Sequence, residues 1–390
     1  MPAGFAFGRG PTHTRGVDLP ALRWIGPPAS PAIELLDQTR LPAAETFVTC
    51  TDVPELVAAI RHLVIRGAPL LGVAGAYGVA LAACRGDDVA GAAAAIEAAR
   101  PTAVNLGWGA RRALAAYQRA LEGQGPDAER EAAAAAAAVD EAASIAAADA
   151  EASLAMAALG LALVPQGARI LTHCNTGALV SAGEGTAFAV ILAAHRAGRL
   201  ARLWIDETRP LLQGGRLTAY EADRAGLPHA VLADSAAGSL FAAGQVDLVL
   251  IGADRIAADG SVANKVGSYS LAVLASHHHV PFVVVAPTST VDLSTPDGAA
   301  IEVEMRPGEE VTRIAGVPVA PAGTPGFNPA FDITPPGLIT AIVTERGVAQ
   351  PVTAGTLRLL GGGPGPQTVP LPPFTWNDGA YERSRASRRR

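Results

Sequence analysis

The pattern of apolar positions changes along the chain near Gln166-Gly167. Beyond that point short, nearly continuous apolar runs recur: ARILTHC from 168, RLWID from 202, PHAVLA from 228, VDLVLIGA from 246 and PFVVVAP from 281. Helix-compatible stretches separate most of them. Runs this short and this apolar are buried on both faces, so their alternation with helices predicts a parallel sheet covered on both sides. The predicted fold class is α/β, with a Rossmann-like C-terminal domain over residues 165–348. Before it the pattern is different. LRWIG, AIELLDQ and TFVTC have the length and spacing of a small antiparallel sheet. Asp52 is placed to cap a helix running from Val53 towards Ile65. Further helical segments follow, the longest from Asp127 to Leu163. That one is rich in Ala, the best helix former, and Glu131, Asp140, Glu141 and Asp149 keep one face wet. It reads as a scaffold helix joining two domains, so residues 21–164 form a smaller, mostly helical N-terminal domain carrying the short sheet. Residues 1–20 read as a flexible extension, and residues 349–390, dense in Pro and Gly and basic at the end, as an extended or disordered tail.

Composition agrees with this picture. Hydrophobic residues make up 49% and charged residues 17% of 390 residues, which suits a well-buried two-domain globular chain. The net charge of −6 argues against nucleic acid as a partner, since only the closing SRASRRR is basic. Cys50, Cys84 and Cys174 are far apart and odd in number, which fits a reducing, cytoplasmic setting rather than a disulfide framework or a zinc ribbon. The N-terminus lacks the apolar stretch of a signal peptide, and no Ala-rich run reaches about 18 uninterrupted apolar residues, so no membrane span is expected.

In a parallel sheet covered by helices, ligands bind at the carboxyl ends of the strands. Four polar motifs fall there: HCNTG, DETRP, ADRI and APTST. A nicotinamide cofactor is not expected, because Cys174-Asn175-Thr176-Gly177 with Gly183 and Gly185 does not match the spacing G-x-G-x-x-G, and no Walker A pattern occurs. The CNTG turn still precedes a helix, read as starting near Glu184, and a helix N-terminus holds anions without that fingerprint. Cys174 is either an inert buried thiol or, at a strand end in a Gly-rich turn, a reactive one. Asp254 is either a turn cap paired with Arg255 or a general acid/base made weaker as an acid by partial burial. Asn264 and Lys265 follow in what reads as the same loop, placed to bind phosphate or hydroxyl groups in a lysine-poor chain. Arg66, before Gly67-Ala68-Pro69, stands at a helix start where the macrodipole prefers an anion, and Arg100 stands similarly. A bound anion shared with the helix end reconciles that placement. Gln213 is a candidate reader of a sugar hydroxyl, and the charges of Asp206, Glu207 and Arg209 beside it suit structural pairing. His277-His278-His279 cannot all face one way on a helix, so no metal site is expected there.

Taken in order, LLDQTRLP, IRGAP, RPTAVNL, THCNTGAL, DETRPLLQGGRLTAYE, GADRIAADGSVANKVGSYSLAVLA and FNPAFDITPPGLITAIVTERG resemble the S-methyl-5-thioribose-1-phosphate isomerases, aldose–ketose isomerases of methionine salvage. The resemblance spans about residues 20–348 and extends to a superfamily with the regulatory subunits of initiation factor two-B and the ribose-1,5-bisphosphate isomerases. It implies Cys174 and Asp254 as the catalytic pair, and Arg66, Gly67, Ala68, Arg100, Gln213, Asn264 and Lys265 as the residues that bind a small sugar phosphate. It also implies a cytoplasmic homodimer without cofactor or metal, acting on neither nucleic acid nor membrane. The alternatives are isomerisation of 5-deoxyribose 1-phosphate or ribose 1,5-bisphosphate, or a non-catalytic regulatory role. Glu184, close to the CNTG turn, has no assigned part.

Overall fold

The computed structural model describes residues 20–27, 30–100 and 102–361. The expected N-terminal extension up to residue 19 and the basic end of the chain lie outside the described residues. Strands β1 (Leu22–Ile25), β2 (Ala32–Leu36) and β3 (Phe47–Cys50) form an antiparallel sheet in that order. Ile33 and Leu35 of β2 point into the core. Asp52 caps α1 (Val53–Arg61) by accepting the Glu55 N–H at 2.9 Å, while Glu55 reaches back to the Thr51 N–H at 2.7 Å. The two reciprocal bonds satisfy donors that the helix start leaves free. The helix stops short of Ile65, because the chain turns through Leu63 at φ +60°.

Helices α2 (Ala68–Arg85), α3 (Val89–Glu97), α4 (Val104–Leu121) and α5 (Asp127–Leu161) complete the N-terminal half. The small residues of α2 let α4 and α5 approach closely, and a Cβ on Gly75 would lie 2.4 Å from the Leu106 carbonyl. By length and mean hydropathy α2 and α5 are apolar enough to cross a membrane; against the expectation from sequence, residues 67–84 are an uncharged run of 18 small and apolar residues, and α2 is enclosed by its neighbouring helices. The long α5 packs on α2 and α4 at one end and on the C-terminal half at the other, as a scaffold joining the two.

The C-terminal half runs β4 (Ala168–Thr172), α6 (Ala187–Arg196), β5 (Leu200–Asp206), α7 (Ala219–Arg224), β6 (His229–Leu232), α8 (Ala237–Ala242) and β7 (Leu248–Ile251). It continues with β8 (Arg255–Ala257), β9 (Val262–Lys265), α9 (Ser268–His277), β10 (Phe282–Val285) and β11 (Val291–Asp292). The last elements are α10 (Glu309–Thr312), β12 (Arg313–Ile314), β13 (Val317–Pro318), β14 (Phe331–Thr334), β15 (Ala341–Thr344), β16 (Gly347–Ala349) and α11 (Ala354–Gly361). The main sheet has the order β16-β15-β10-β7-β4-β5-β6, parallel except for β16. All five apolar runs read from the sequence are strands in it. The chain leaves β4 towards β5 and β6, then returns to lay β7 on the other side of β4. That reversal opens a crevice at the carboxyl ends of β4 and β7, where open α/β sheets bind ligands.

Three expectations are corrected. The helix after CNTG starts at Ala187, not near Glu184, because a single tight turn (Ala178–Val180) and the bend through Gly185 at φ +100° intervene. Asn264 and Lys265 are not in a loop: they end β9, which pairs with β8 and β14 in a second, small sheet. The expected tail begins instead with α11, whose Leu357 and Leu360 are buried against the β7 side of the core. Leu357→Ala should therefore cost about 2–5 kcal/mol of stability. Chemical denaturation reads this, and a loss within error would mean that α11 is not docked.

Candidate active site

Cys174 follows β4 and Asp254 follows β7, so adjacent strands deliver both to one cavity. The residues that the resemblance implies as substrate-binding line the same cavity: Arg66, Gly67, Ala68, Arg100, Gln213, Asn264 and Lys265, from both halves of the chain. Arg306 and Leu63 line it too, without a signal in the sequence that marked them.

The thiol sits on a constrained backbone. Cys174 has φ +63°, a left-handed conformation that a residue with a Cβ adopts at a cost of about 1–2 kcal/mol. Two threonines hold it there. The Cys174 N–H donates to Thr208 Oγ1 at 2.9 Å, and Thr218 Oγ1 donates to the Cys174 carbonyl at 2.6 Å. The preceding His173 is fully buried between two acceptors, Asp206 Oδ2 at Nδ1 and the Val266 carbonyl at Nε2, both at 2.9 Å. With Asp206 ionised, each ring nitrogen carries a hydrogen and the ring is cationic, while burial raises the Asp206 carboxyl against the pull of His173. Burial lowers the His173 pKa, but the hydrogen bond and charge of Asp206 outweigh it and the net shift is upward. The charges do not pair within DETRP: Asp206 pairs with His173, and Arg209 donates to the Pro210 and Val311 carbonyls. His173 thereby ties the Cys174 turn to the segment after Lys265.

His173, Asp206 and Asp234 also present ligand atoms within 4.8 Å of one another, the one such cluster among the described residues. Most of their polar atoms are hydrogen-bonded, although Asp206 Oδ1 is buried without a partner among the described residues. Asp234 accepts the Thr208 and Arg209 N–H groups, both at 2.7 Å, and His173 uses both nitrogens as donors. A cationic imidazole has no lone pair for a metal.

The cavity is electropositive. Gly67 begins α2 at φ +94° without a side-chain cap, and Gly67 to Pro69 face the cavity, so the uncapped helix end points its dipole there. A Cβ on Gly67 would lie 2.3 Å from Val180, which leaves glycine as the residue that fits. Arg66 is buried and donates from Nη2 to Asn175 Oδ1 at 2.9 Å, while its Nε is buried without a partner among the described residues. Arg100 bonds Glu304 at 3.2 Å, and its Nε is likewise unpartnered, as is Gln213 Oε1. Glu304 also holds Arg306 at 3.0 Å, joining the two arginines. Lys265 Nζ lies 5.5 Å from the centroid of the Phe331 ring. The open Nε–H donors of Arg66 and Arg100 mark a seat for an oxygen-rich anion, and the Gln213 oxygen, an acceptor, suits a hydroxyl.

Burial sets the acids against these cations. It pushes the Cys174 thiol up, against the pull of Arg66 and Lys265. It also raises Asp254, against Lys265, Arg100 and Arg66. Among the described residues no side chain hydrogen-bonds the Asp254 carboxyl, and Arg255 turns away to Asp292, 3.7 Å distant, and to the Thr102 carbonyl. The turn-cap reading of Asp254 with Arg255 is therefore not met. Burial lowers Arg66 and Lys265 in turn. Glu184 lies outside this cavity. It pairs with Arg196 at 2.7 Å and borders a separate hollow beside Trp24 and Tyr77.

Comparison with known proteins agrees with the geometry. The initiation factor 2 subunit family matches residues 64–351. A methylthioribose-1-phosphate isomerase of Pelotomaculum thermopropionicum is 48% identical over 349 residues, covering 87% of this chain and 93% of its own. The crystal structure of 5-methylthioribose 1-phosphate isomerase from Pyrococcus horikoshii superposes with a TM-score of 0.79 at 37% identity, over 90% of this chain and 99% of that one. The translation initiation factor eIF-2B, subunit delta, from A. fulgidus superposes with a TM-score of 0.73, also at 37% identity, over 87% of this chain and 100% of its own. The chain belongs to the initiation factor 2 subunit family and stands within it beside the proteins named methylthioribose-1-phosphate isomerase.

Proposed function

We propose that the protein is an aldose–ketose isomerase that converts S-methyl-5-thioribose 1-phosphate to S-methyl-5-thioribulose 1-phosphate, and that it works as a cytoplasmic homodimer. The observation that carries the reading is one cavity holding a thiol and a carboxyl, both weakened as acids by burial, beside buried guanidinium donors left open. The names borne by its relatives support the choice of sugar.

The substrate carries phosphate on its anomeric oxygen, so its ring cannot open to a free aldehyde. An acid must protonate the ring oxygen as the C1–O bond breaks. Asp254, kept protonated by burial, is that acid, and the carboxylate it leaves assists the later proton transfers. A proton then leaves C2 and an enol forms between C1 and C2; a proton returns to C1 as the C2 hydroxyl gives up its own, which leaves the C2 ketone. Cys174 acts at these two carbons. Arg66, Arg100 and Lys265, with the α2 end at Gly67 and Ala68, hold the phosphate, while Gln213 and Asn264 orient the hydroxyls.

Assaying ketose formation from S-methyl-5-thioribose 1-phosphate, 5-deoxyribose 1-phosphate and ribose 1,5-bisphosphate side by side tests this. The first should give the highest kcat/KM. A preference for the bisphosphate would move the assignment to another isomerase of the family, and no ketose from any of the three would favour a regulatory role.

A further inference from the structure

Beneath the Cys174 turn lies a carboxylate for which the reaction above has no part. Glu221 is buried on α7 and accepts the Leu179 N–H at 3.1 Å, the Ala178 N–H, and a close hydrogen bond from Asn175 Nδ2. A Cβ on Gly177 would lie 2.4 Å from both its oxygens, so the turn closes directly over the carboxylate. Asn175 spans from there to the cavity. Its Nδ2 also reaches Thr218 Oγ1 at 3.2 Å, and its Oδ1 accepts from Arg66 Nη2 at 2.9 Å. A guanidinium only donates and a carboxylate only accepts, so an amide held between them has one orientation.

We propose that Glu221 is a positioning residue: through the Asn175 amide it fixes the direction of the Arg66 guanidinium, and its ionisation switches the anion seat on. Ionised, it forces the amide oxygen towards Arg66. Protonated, it offers an O–H that the amide oxygen accepts once the amide turns over. The amide N–H groups then face Arg66, and two donors repel each other. Arg66 is the charged group that faces Glu221 from another element. On its own segment Arg216 bonds the Gln38 and Leu41 carbonyls, and Tyr220 and Arg224 bond Glu45. Burial, outweighing its donors and Arg66, raises the Glu221 carboxyl to about 7, so the switch operates near neutrality.

The inference rests on Arg66 belonging to the phosphate seat of the proposed isomerase, but sulfate tests it without turnover. Sulfate stays a dianion from about pH 6 to pH 8, whereas a phosphate ester titrates there. Its affinity, read by calorimetry on the full chain, should rise roughly tenfold in the wild type from pH 6 to pH 8, the worth of one charge-assisted hydrogen bond. Glu221→Gln should bind weakly with no such slope, because an amide side chain cannot lock Asn175 at any pH. Arg66→Lys, which shortens the relay at its far end, should lose the slope as well. Equal affinity and slope in wild type and Glu221→Gln would overturn the proposal; so would a flat wild-type profile, or no sulfate binding at pH 8. Thermal unfolding checks that Glu221→Gln folds, and if it does not, the wild type and Arg66→Lys decide alone. Failure of all three sugar phosphates as substrates would remove the isomerase reading while leaving the sulfate result to stand or fall separately.

Discussion

Asp254→Asn should lower kcat by about a hundredfold to ten-thousandfold, the usual range for a lost general acid, and change KM little. The split follows from position. The carboxyl follows β7, and in the proposed reaction it serves the ring oxygen and the reacting carbons, whereas Arg66, Arg100, Lys265 and the α2 end, which line the same cavity, hold the phosphate. Asparagine keeps the size and removes the proton. The pH profile gives a second reading. Burial raises the Asp254 pKa, and Lys265, Arg100 and Arg66 only partly oppose it. Its acid form therefore persists above the ordinary carboxyl range, and the protonated form opens the ring. Wild-type kcat should fall as pH rises through this raised pKa, and that limb should be missing from the residual rate of Asp254→Asn. Turnover near the wild-type level, or an unchanged limb, would take Asp254 out of the reaction.

Cys174 and Asp254 were legible in the sequence for the same reason as the fold. A strand buried on both faces has to be almost wholly apolar, so the first polar residues after it stand out and mark its carboxyl end. What was not legible depends on partners far apart in the chain. Arg66 and Asn175 are 109 residues apart, Asn175 and Glu221 46 apart. YEADR on its own reads as a wet helix end, and only the fold turns Glu221 under the Cys174 turn. His173 stood beside the thiol, yet nothing local sets Asp206 on one nitrogen and Val266 on the other. The small sheet of β8, β9 and β14 was missed because its strands are short and carry Arg, Asn, Lys and Asp, so residues 255–265 read as a loop. Helix α11 was hidden by the Pro and Gly around it. Its Leu357 and Leu360 are spaced three apart, a weak helical signal in so short a segment.

Cys174 should rest as a thiol, and its reactivity should show it. Burial pushes its pKa above the ordinary thiol value, and Arg66 and Lys265 recover only part of the shift. A phosphate dianion seated on those cations would weaken even that recovery. In the proposed reaction Cys174 therefore enters with its proton on, as a donor towards C1 rather than as a standing thiolate base. Carboxamidomethylation by iodoacetamide, followed by peptide mapping, should be slow at neutral pH. It should rise about tenfold per pH unit without levelling off up to about pH 9, because only the thiolate reacts. Sulfate should slow it, and Lys265→Met, which removes a cation at similar size, should slow it further at any given pH. Cys50 supplies an internal reference: it is buried in the N-terminal core, and burial with Glu55 and Asp52 nearby raises it to about 11. Cys50 is fully buried in that core whereas Cys174 lines the cavity, so Cys50 should remain unmodified longer than Cys174. Cys174→Ala should cut turnover by about a hundredfold to ten-thousandfold, and Cys174→Ser should not restore it, since a hydroxyl at the same place is a far weaker acid. A plateau in alkylation near pH 7 would mean a resting thiolate and reverse the proton's direction at C1, and near-normal turnover in Cys174→Ala would remove the thiol from the reaction.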